Sequence, residues 1–178
     1  MKELIKSASL FLVLVFALSA CENEGYSEKI IGTWEASIFV DSKKARTVFD
    51  MEDTDGMEME MTSNLKTTYL RGNRYNAEGD VTFRIKANGQ EMPLKLHMVE
   101  SGSYEFHDNF LISITDDSKI TAADEMTRNA IKNAPEFAEL IQPVKGASTS
   151  TEIIEMSETS MQTKTEDLPG LLITSTKK

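Results

Sequence analysis

Apolar and polar side chains alternate with a period of two residues through most of the chain beyond residue 30. In residues 33–40, for example, one face has Trp34, Ala36, Ile38 and Val40. Successive side chains of an extended strand point to opposite faces, so this period predicts strands with one buried face. The alternation recurs in ten short segments, at residues 33–40, 57–61, 66–70, 80–86, 91–99, 103–107, 109–115, 152–156, 160–165 and 171–176. The pattern predicts an all-β, mainly antiparallel protein of about eight to ten strands.

Turn signals separate these segments and favour antiparallel neighbours. The dipeptide Asn88-Gly89 is typical of a two-residue hairpin. Residues 121–141 show helical spacing instead, with Thr121 as the predicted cap and Pro135 predicting a kink. A meander that closes on itself removes the exposed strand edges that invite aggregation. We therefore predict a meandering β-barrel with one inserted, kinked helix.

The first twenty residues have the layout of a secretory signal peptide: a charged start, an apolar run and then small residues. The run at residues 10–18 is shorter than the roughly 20 apolar residues that a helix needs to span a bilayer. Directly behind it, Leu18-Ser19-Ala20-Cys21 resembles the bacterial lipobox. This resemblance implies cleavage before Cys21 and a diacylglyceryl group on its thiol. The alternatives are an ordinary cleaved signal peptide followed by a chance cysteine, or an uncleaved anchor.

These features predict three consecutive parts of the chain. Residues 1–20 are the lipoprotein signal peptide, residues 21–29 a short lipidated tether, and residues 30–178 a single barrel domain. Cys21 is the only cysteine, so after acylation the exported domain has no thiol for a disulfide or a nucleophile. Several acyl chains, at about 0.8 kcal/mol per buried CH₂, make such attachment effectively permanent. We expect a lipid-anchored protein of the cell envelope, at the outer membrane, with the periplasmic or surface face left open.

A short motif, Gly32-Thr33-Trp34, opens the first predicted strand shortly after Cys21. It is similar to the G-x-W motif of the lipocalins, particularly the lipocalin-like lipoproteins of Bacteroidota. The stretch at residues 102–111, with a turn at Asp108-Asn109, also looks like a strand-turn-strand unit of those proteins. The resemblance covers residues 30–178.

This resemblance implies a barrel whose closed end is plugged by Gly32 and Trp34 and whose open end admits a small apolar ligand. It also implies a basic residue of the last strand placed over the tryptophan, for which Lys177 and Lys178 are the candidates. This sequence differs from the lipocalin pattern in two ways that affect the expected strand order and ligand binding. The second lipocalin motif, Thr-Asp-Tyr, is absent, and the predicted helix precedes three strands rather than one.

Five apolar side chains are the sequence's candidates for lining the barrel interior. Met57, Met59 and Met61 alternate with two glutamates, and Phe83 and Leu94 fall on the apolar faces of later segments. The methionines could alternatively be thioether ligands for Cu(I), a soft ion. Flexible, polarizable methionine side chains also fill irregular cores and line adaptable cavities, and we favour that interpretation.

No recognisable metal or catalytic motif is present in the sequence. The acidic stretch at residues 50–56 fails the calcium-loop template, because Met51 and Thr62 would take its first and twelfth positions. His97 and His107 lack the spacing of a zinc pair. There is no G-x-S-x-G elbow, H-E-x-x-H helix or phosphate-binding glycine loop. We expect a protein that is not an enzyme and has no metal or cofactor.

The charge balance of 29 acidic against 19 basic residues argues against nucleic acid and anionic lipid surfaces as partners. Two functions remain. One is a lipid-anchored barrel that binds a small apolar ligand; the other is an assembly protein that docks another envelope protein through its helix or acidic loop. The open barrel of envelope lipoprotein carriers is a third alternative, but it lacks the G-x-W plug. A continuous cavity above about 300 Å³ lined by Met57, Met59, Phe83 and Leu94 would favour ligand binding, whereas a filled interior with an exposed apolar patch would favour docking.

The lipobox match predicts that Cys21→Ser abolishes lipid attachment. Cells fed labelled palmitate are expected to label the unaltered lipoprotein and not the variant, because the acylated thiol is gone. The variant is also expected to move to the aqueous phase in detergent partitioning, or to remain uncleaved. Palmitate labelling that survives the substitution would exclude Cys21 as the lipidated residue.

Overall fold

Eight antiparallel strands follow one another in sequence order and close into a barrel in the computed structural model. The structure describes residues 25–48, 58–87, 89–133, 142, 144–166 and 168–178. The strands are β1 (Gly32–Val40), β2 (Glu58–Leu70), β3 (Arg74–Ala87), β4 (Gln90–His107), β5 (Phe110–Ala122), β6 (Ser148–Met156), β7 (Ser160–Thr165) and β8 (Ile173–Lys177). This architecture confirms the predicted all-β meander barrel. Cys21, the rest of residues 1–24, Met57 and Pro135 lie outside the described residues.

The barrel closes where the first strand meets the last. On one side β1 pairs with β2 over its whole length, from Gly32 opposite Tyr69 to Val40 opposite Met61. On the other side β1 pairs with β8, with Trp34 opposite Lys177. Closure satisfies backbone groups that an open sheet would leave at its edges.

Two pairs of predicted segments are single long strands in the structure. The segment at residues 66–70 and the described part of the segment at residues 57–61, from Glu58 onward, both belong to β2. The polar Ser63 occupies an inward position there, only 3 % exposed, and so hid the continuity of the pattern. Likewise, the segments at residues 91–99 and 103–107 are both parts of β4. The pairing of β4 with β5 shifts register between Ser101 and Gly102.

Gly102 of β4 lies next to a bulge in β5, in which Asp116 is the extra residue between the partners of Ser101 and Gly102. Gly102 is buried opposite Tyr75 of β3. A Cβ at this position would lie 2.6 Å from the Tyr75 ring and would clash with the Ile114 carbonyl oxygen of β5. Glycine therefore lets the tyrosine ring lie across β4 without displacing the neighbouring strand.

In the described ranges, three helical segments accompany the barrel: α1 at residues 25–29, α2 (Ser42–Val48) and α3 (Glu125–Asn133). The connection between β1 and β2 showed no clear sequence pattern, but it contains α2. The Asp41 carboxylate accepts the Lys44 backbone N–H at 2.9 Å, a helix N-cap. Ala45 of α2 is fully buried against the end of the barrel.

The predicted helix begins later than expected. Thr121 is not its cap, because residues up to Ala122 continue the β4–β5 ladder, with Ala122 opposite Leu96. The cap is Asp124, whose carboxylate accepts the Thr127 backbone N–H at 2.8 Å. Hydrogen bonding from the Thr127 N–H lowers the pKa of Asp124 below its usual range. The kink predicted at Pro135 lies outside the described residues, and within them no helix is long and apolar enough to cross a membrane.

The barrel core forms two clusters, one toward each end of β1. The plug cluster surrounds Trp34 and contains Ile30, Trp34, Tyr69, Tyr75, Tyr104, Leu111, Ile153, Met156 and Met161. The distal cluster, toward the end of β1, contains Ile38, Val40, Ala45, Met61 and Leu171. Each buried aliphatic or aromatic side chain contributes about 1.5–3 kcal/mol by removal from water. The two clusters leave the middle of the barrel to smaller side chains.

Gly102→Ala is predicted to lower the free energy of unfolding by about 3 kcal/mol, the upper range for overpacking a filled interior. The added methyl must displace either the Tyr75 ring or the β5 backbone. Urea unfolding followed by circular dichroism measures the loss. Gly25→Ala is the matched control, since a Cβ there has no atom within 4 Å. Equal stability of the two variants would show that the Tyr75 ring does not need the space at Gly102.

Candidate functional site

Trp34 lies at the base of the barrel interior and connects it to the N-terminal segment. Its side chain is 2 % exposed. Its indole Nε1 donates a hydrogen bond of 2.7 Å to the Ile30 carbonyl oxygen. The Ile30 N–H, directly after α1, in turn donates to the Tyr26 carbonyl in the first turn of α1, at 2.9 Å. The indole therefore fixes the chain that enters β1.

Lys177 covers the outer side of this tryptophan. Its Nζ is 5.3 Å from the Trp34 ring centroid, a cation–π arrangement. The same ammonium donates to the Lys29 carbonyl oxygen at 2.8 Å. Gly32 has a φ of 128°, and a Cβ there would lie 2.7 Å from Lys177 Cε. Glycine at this position therefore provides both the backbone conformation and the room for the lysine stem.

Of the two candidate lysines, only Lys177 takes this place. Lys178 pairs with Glu35 on the outer face of β1, with 3.0 Å between ammonium and carboxylate. The two lysines lie on opposite faces because successive residues of β8 alternate.

A cavity of about 270 Å³ lies in the barrel interior beside Trp34. Its apolar lining comes from β1, β2, β5, β7, β8 and the loop before β8. These residues are Trp34, Ala36, Ile38, Leu65, Tyr69, Leu111, Met161, Leu168 and Ile173. The cavity therefore lies between the plug cluster and the distal cluster, and both contribute to its wall.

The rest of the lining bears hydroxyl groups. These residues are Thr67, Ser113, Thr149, Thr151, Thr163, Thr165 and Ser175. Most of them lie on the neighbouring strands β5, β6 and β7, where Ser113 is opposite Thr149 and Thr151 is opposite Thr165. Among the described residues that line the cavity, none is Asp, Glu, Lys, Arg or His.

Four of the five residues expected to line a cavity are described, and they lie outside the lining of this cavity. Met61 and Leu94 are buried, 7 % and 1 % exposed, and Met59 and Phe83 pack half-buried against the distal cluster. None of these four is among the described lining residues. Met57 lies outside the described residues.

The actual lining is polar enough to escape a search for apolar faces. In β6 and β7 the inward positions alternate as Thr149, Thr151 and Ile153, and as Met161, Thr163 and Thr165. Threonine at alternate positions of these two segments is the sequence pattern that could have predicted this part of the cavity lining. Threonine is common in strands for other reasons, so the signal is weak without a structure.

A second polar group occupies the interior beside the plug cluster. The Tyr75 hydroxyl donates to the Glu100 carboxylate, and the Thr115 hydroxyl donates to the same oxygen at 3.2 Å. Burial, and then the hydrogen bond to Glu100, raise the pKa of Tyr75 to about 12. Burial likewise raises the pKa values of Tyr69 and Tyr104.

The histidines lie on the outer face of β4 and do not meet. His97 is 2.9 Å from Asp80, and His107 is 3.1 Å from Glu105. Within the described residues no three His, Cys, Asp or Glu side chains are placed to hold a metal ion. The acidic stretch considered for calcium lies outside those residues. No protein-family model and no curated protein matches the chain.

The buried tyrosines predict a loss of stability at alkaline pH. A phenol in the unfolded chain ionises near pH 10, whereas Tyr75 in the barrel keeps its proton to about pH 12. The folded state thus binds more protons between these values, and the free energy of unfolding falls as pH rises through them. Urea unfolding between about pH 9 and about pH 11.5 measures the slope.

Tyr75→Phe is expected to make this decline shallower, because one of the shifted phenols is removed. Glu100→Gln keeps a hydrogen-bond acceptor but removes the negative charge. The slope of its free energy of unfolding against pH should therefore fall between those of the unaltered protein and Tyr75→Phe. The same slope in the unaltered protein and in Tyr75→Phe would contradict the assignment.

Proposed function

We propose that this protein is a lipid-anchored lipoprotein of the outer membrane whose lipocalin-like barrel binds a small, largely apolar molecule beside Trp34. One observation carries the proposal: the barrel contains a cavity of about 270 Å³. Eight strands enclose an interior just wide enough for side chains to fill. A cavity persists here because inward positions bear Ala36, Thr149, Thr151 and Thr163 rather than larger side chains.

The cavity volume sets the size of the proposed ligand. Ligand pockets usually measure about 300–1,000 Å³, so this cavity of about 270 Å³ is just below that range. A dry engineered cavity of roughly 150 Å³ holds benzene. A volume of about 270 Å³ therefore suits a molecule of one ring or two small rings.

The anchor is supported by the Leu18-Ser19-Ala20-Cys21 match and by the position of α1. Tyr26 of α1 stacks on Phe106 with ring centroids 6.1 Å apart, and the Tyr26 carbonyl accepts the Ile30 N–H. An extended chain spans at most about 3.6 Å per residue, so the five residues from Cys21 to Tyr26 reach no more than about 18 Å. In this proposal the Trp34 end of the barrel lies next to the membrane.

A second candidate function is the docking of another envelope protein. It is favoured by apolar side chains on the outer face of β5, where Phe110 and Ile114 are 39 % and 38 % exposed. Ile154 of the neighbouring β6 is 43 % exposed. Exposed apolar side chains grouped on adjacent strands are typical of interaction surfaces.

A charge placed in the cavity is predicted to abolish ligand retention. Thr151→Glu introduces a carboxylate among the lining residues, whereas Ser150→Glu places the same charge on the outer face of the same strand. Native mass spectrometry of the purified lipoprotein, followed by solvent extraction, is expected to find a bound small molecule in the unaltered protein and in Ser150→Glu. Thr151→Glu should retain none, because an unpaired buried charge is strongly unfavourable.

Two results would favour the docking candidate instead. One is the absence of a bound molecule from every preparation of the unaltered protein. The other is an equal loss in the two variants, each shown by circular dichroism to be folded.

A further inference from the structure

Two hydroxyl groups of the cavity wall are buried and have no hydrogen-bond partner in the part of the chain that the structure describes. Thr163 of β7 is 5 % exposed and Ser175 of β8 is 7 % exposed, and both line the cavity. Neither side chain has a hydrogen-bond partner among the described residues. Two buried hydroxyls away from the cavity are paired: Ser118 of β5 bonds the Val144 backbone at 2.6 Å and 3.0 Å, and Thr127 of α3 accepts the Lys95 N–H at 2.9 Å. Ser63 of β2, 3 % exposed and outside the cavity lining, has no side-chain partner among the described residues.

Unpaired buried hydroxyls are costly and uncommon. Each costs about 1–3 kcal/mol when it loses its bonds to water, and most buried polar groups in folded proteins have a partner. Valine at position 163 and alanine at position 175 would fit the same space without that cost. Hydroxyls that face a cavity can be satisfied by a molecule inside it.

The two kinds of lining are unevenly distributed among the strands. Hydroxyls dominate β6 and β7, with Thr149, Thr151 and Thr163, beside Met161. The apolar residues Trp34, Ala36 and Ile38 form the whole contribution of β1, and Leu65 and Tyr69 of β2 lie beside Thr67. None of the described lining residues is charged. A charged ligand would therefore be desolvated without an ion pair, which is much more costly than burying an uncharged polar group.

We propose that the cavity selects an uncharged molecule that has hydroxyl or carbonyl groups along one side and hydrocarbon along the other. The polar side of that molecule hydrogen-bonds Thr163 and Ser175, and its hydrocarbon side contacts Ile38 and Leu65. This inference rests on the proposed ligand-binding function. It restricts the class of ligand from largely apolar molecules in general to those with polar groups along one side. A comparison of uncharged and charged solutes distinguishes failure of the proposed ligand binding from failure of the inference about ligand polarity.

The test uses four solutes built on the same eight-carbon ring: cyclooctane, its cis vicinal diol, its carboxylate and its ammonium. Trp34 lines the cavity and is the only tryptophan, so its emission reports binding directly. The full lipoprotein is titrated in lipid nanodiscs, and the free concentration of each solute is measured. The quantity compared is the preference ratio, the affinity for the diol divided by the affinity for cyclooctane.

Removing the two unpaired hydroxyls is expected to lower this ratio. Thr163→Val with Ser175→Ala should reduce it about tenfold, equivalent to about 1.4 kcal/mol. Thr174→Val with Thr176→Val changes two exposed positions of β8 and should leave the ratio as it is. Thr163→Ser with Ser175→Thr keeps both hydroxyls and should retain the preference, which separates hydrogen bonding from packing. Both ions should bind far more weakly than the diol.

Each outcome decides one of the two proposals. An unchanged ratio in Thr163→Val with Ser175→Ala, or tight binding of either ion, overturns the inference and leaves ligand binding in place. No change in Trp34 emission with either uncharged solute overturns the proposed function, and the inference with it.

Discussion

The attachment of Trp34 at the base of the barrel is the interaction on which the rest of the structure depends. The β1–β8 pairing joins only three residue pairs, against nine between β1 and β2. Side chains reinforce this short β1–β8 pairing, because Lys177 of β8 lies over the Trp34 indole of β1 and donates a hydrogen bond to the Lys29 carbonyl. The indole N–H holds Ile30 in turn. Without this pairing both strands would become free edges.

Once the base is closed, the inward side chains above it decide between a packed core and a cavity. Thr163 and Ser175 at inward positions of β7 and β8 leave both volume and hydroxyls that have no hydrogen-bond partner among the described residues. The same positions filled with valine or leucine would bury more apolar surface. Local choices that weaken packing without an evident structural gain are typical of functional sites. This comparison makes the cavity the best candidate site, although the outer face of β5 also has exposed apolar residues.

The fold was more predictable than the site for a physical reason. A period of two identifies a strand and its buried face, so the strand order of a meander follows once neighbouring strands are joined by short turns. The same period does not say how far along the barrel a side chain lies. Met61 and Leu94 were therefore predicted to face inward, but their place in the packed interior rather than at the cavity depends on the register. The helix α2 was missed because it is short, although Asp41 is a recognisable cap.

The proposed anchor and the proposed ligand class are consistent with each other. A short tether that enters the barrel at α1 would hold the Trp34 end against the membrane, where the indole and Lys177 close the interior. The other end of the barrel, where α2 packs on the distal cluster, would then face the aqueous phase. Purely hydrocarbon molecules partition into lipid and are scarce in water, whereas a one-sidedly polar molecule is more soluble. A hydroxyl-lined cavity in a barrel that faces water at that end therefore fits its proposed orientation better than a purely aliphatic one would.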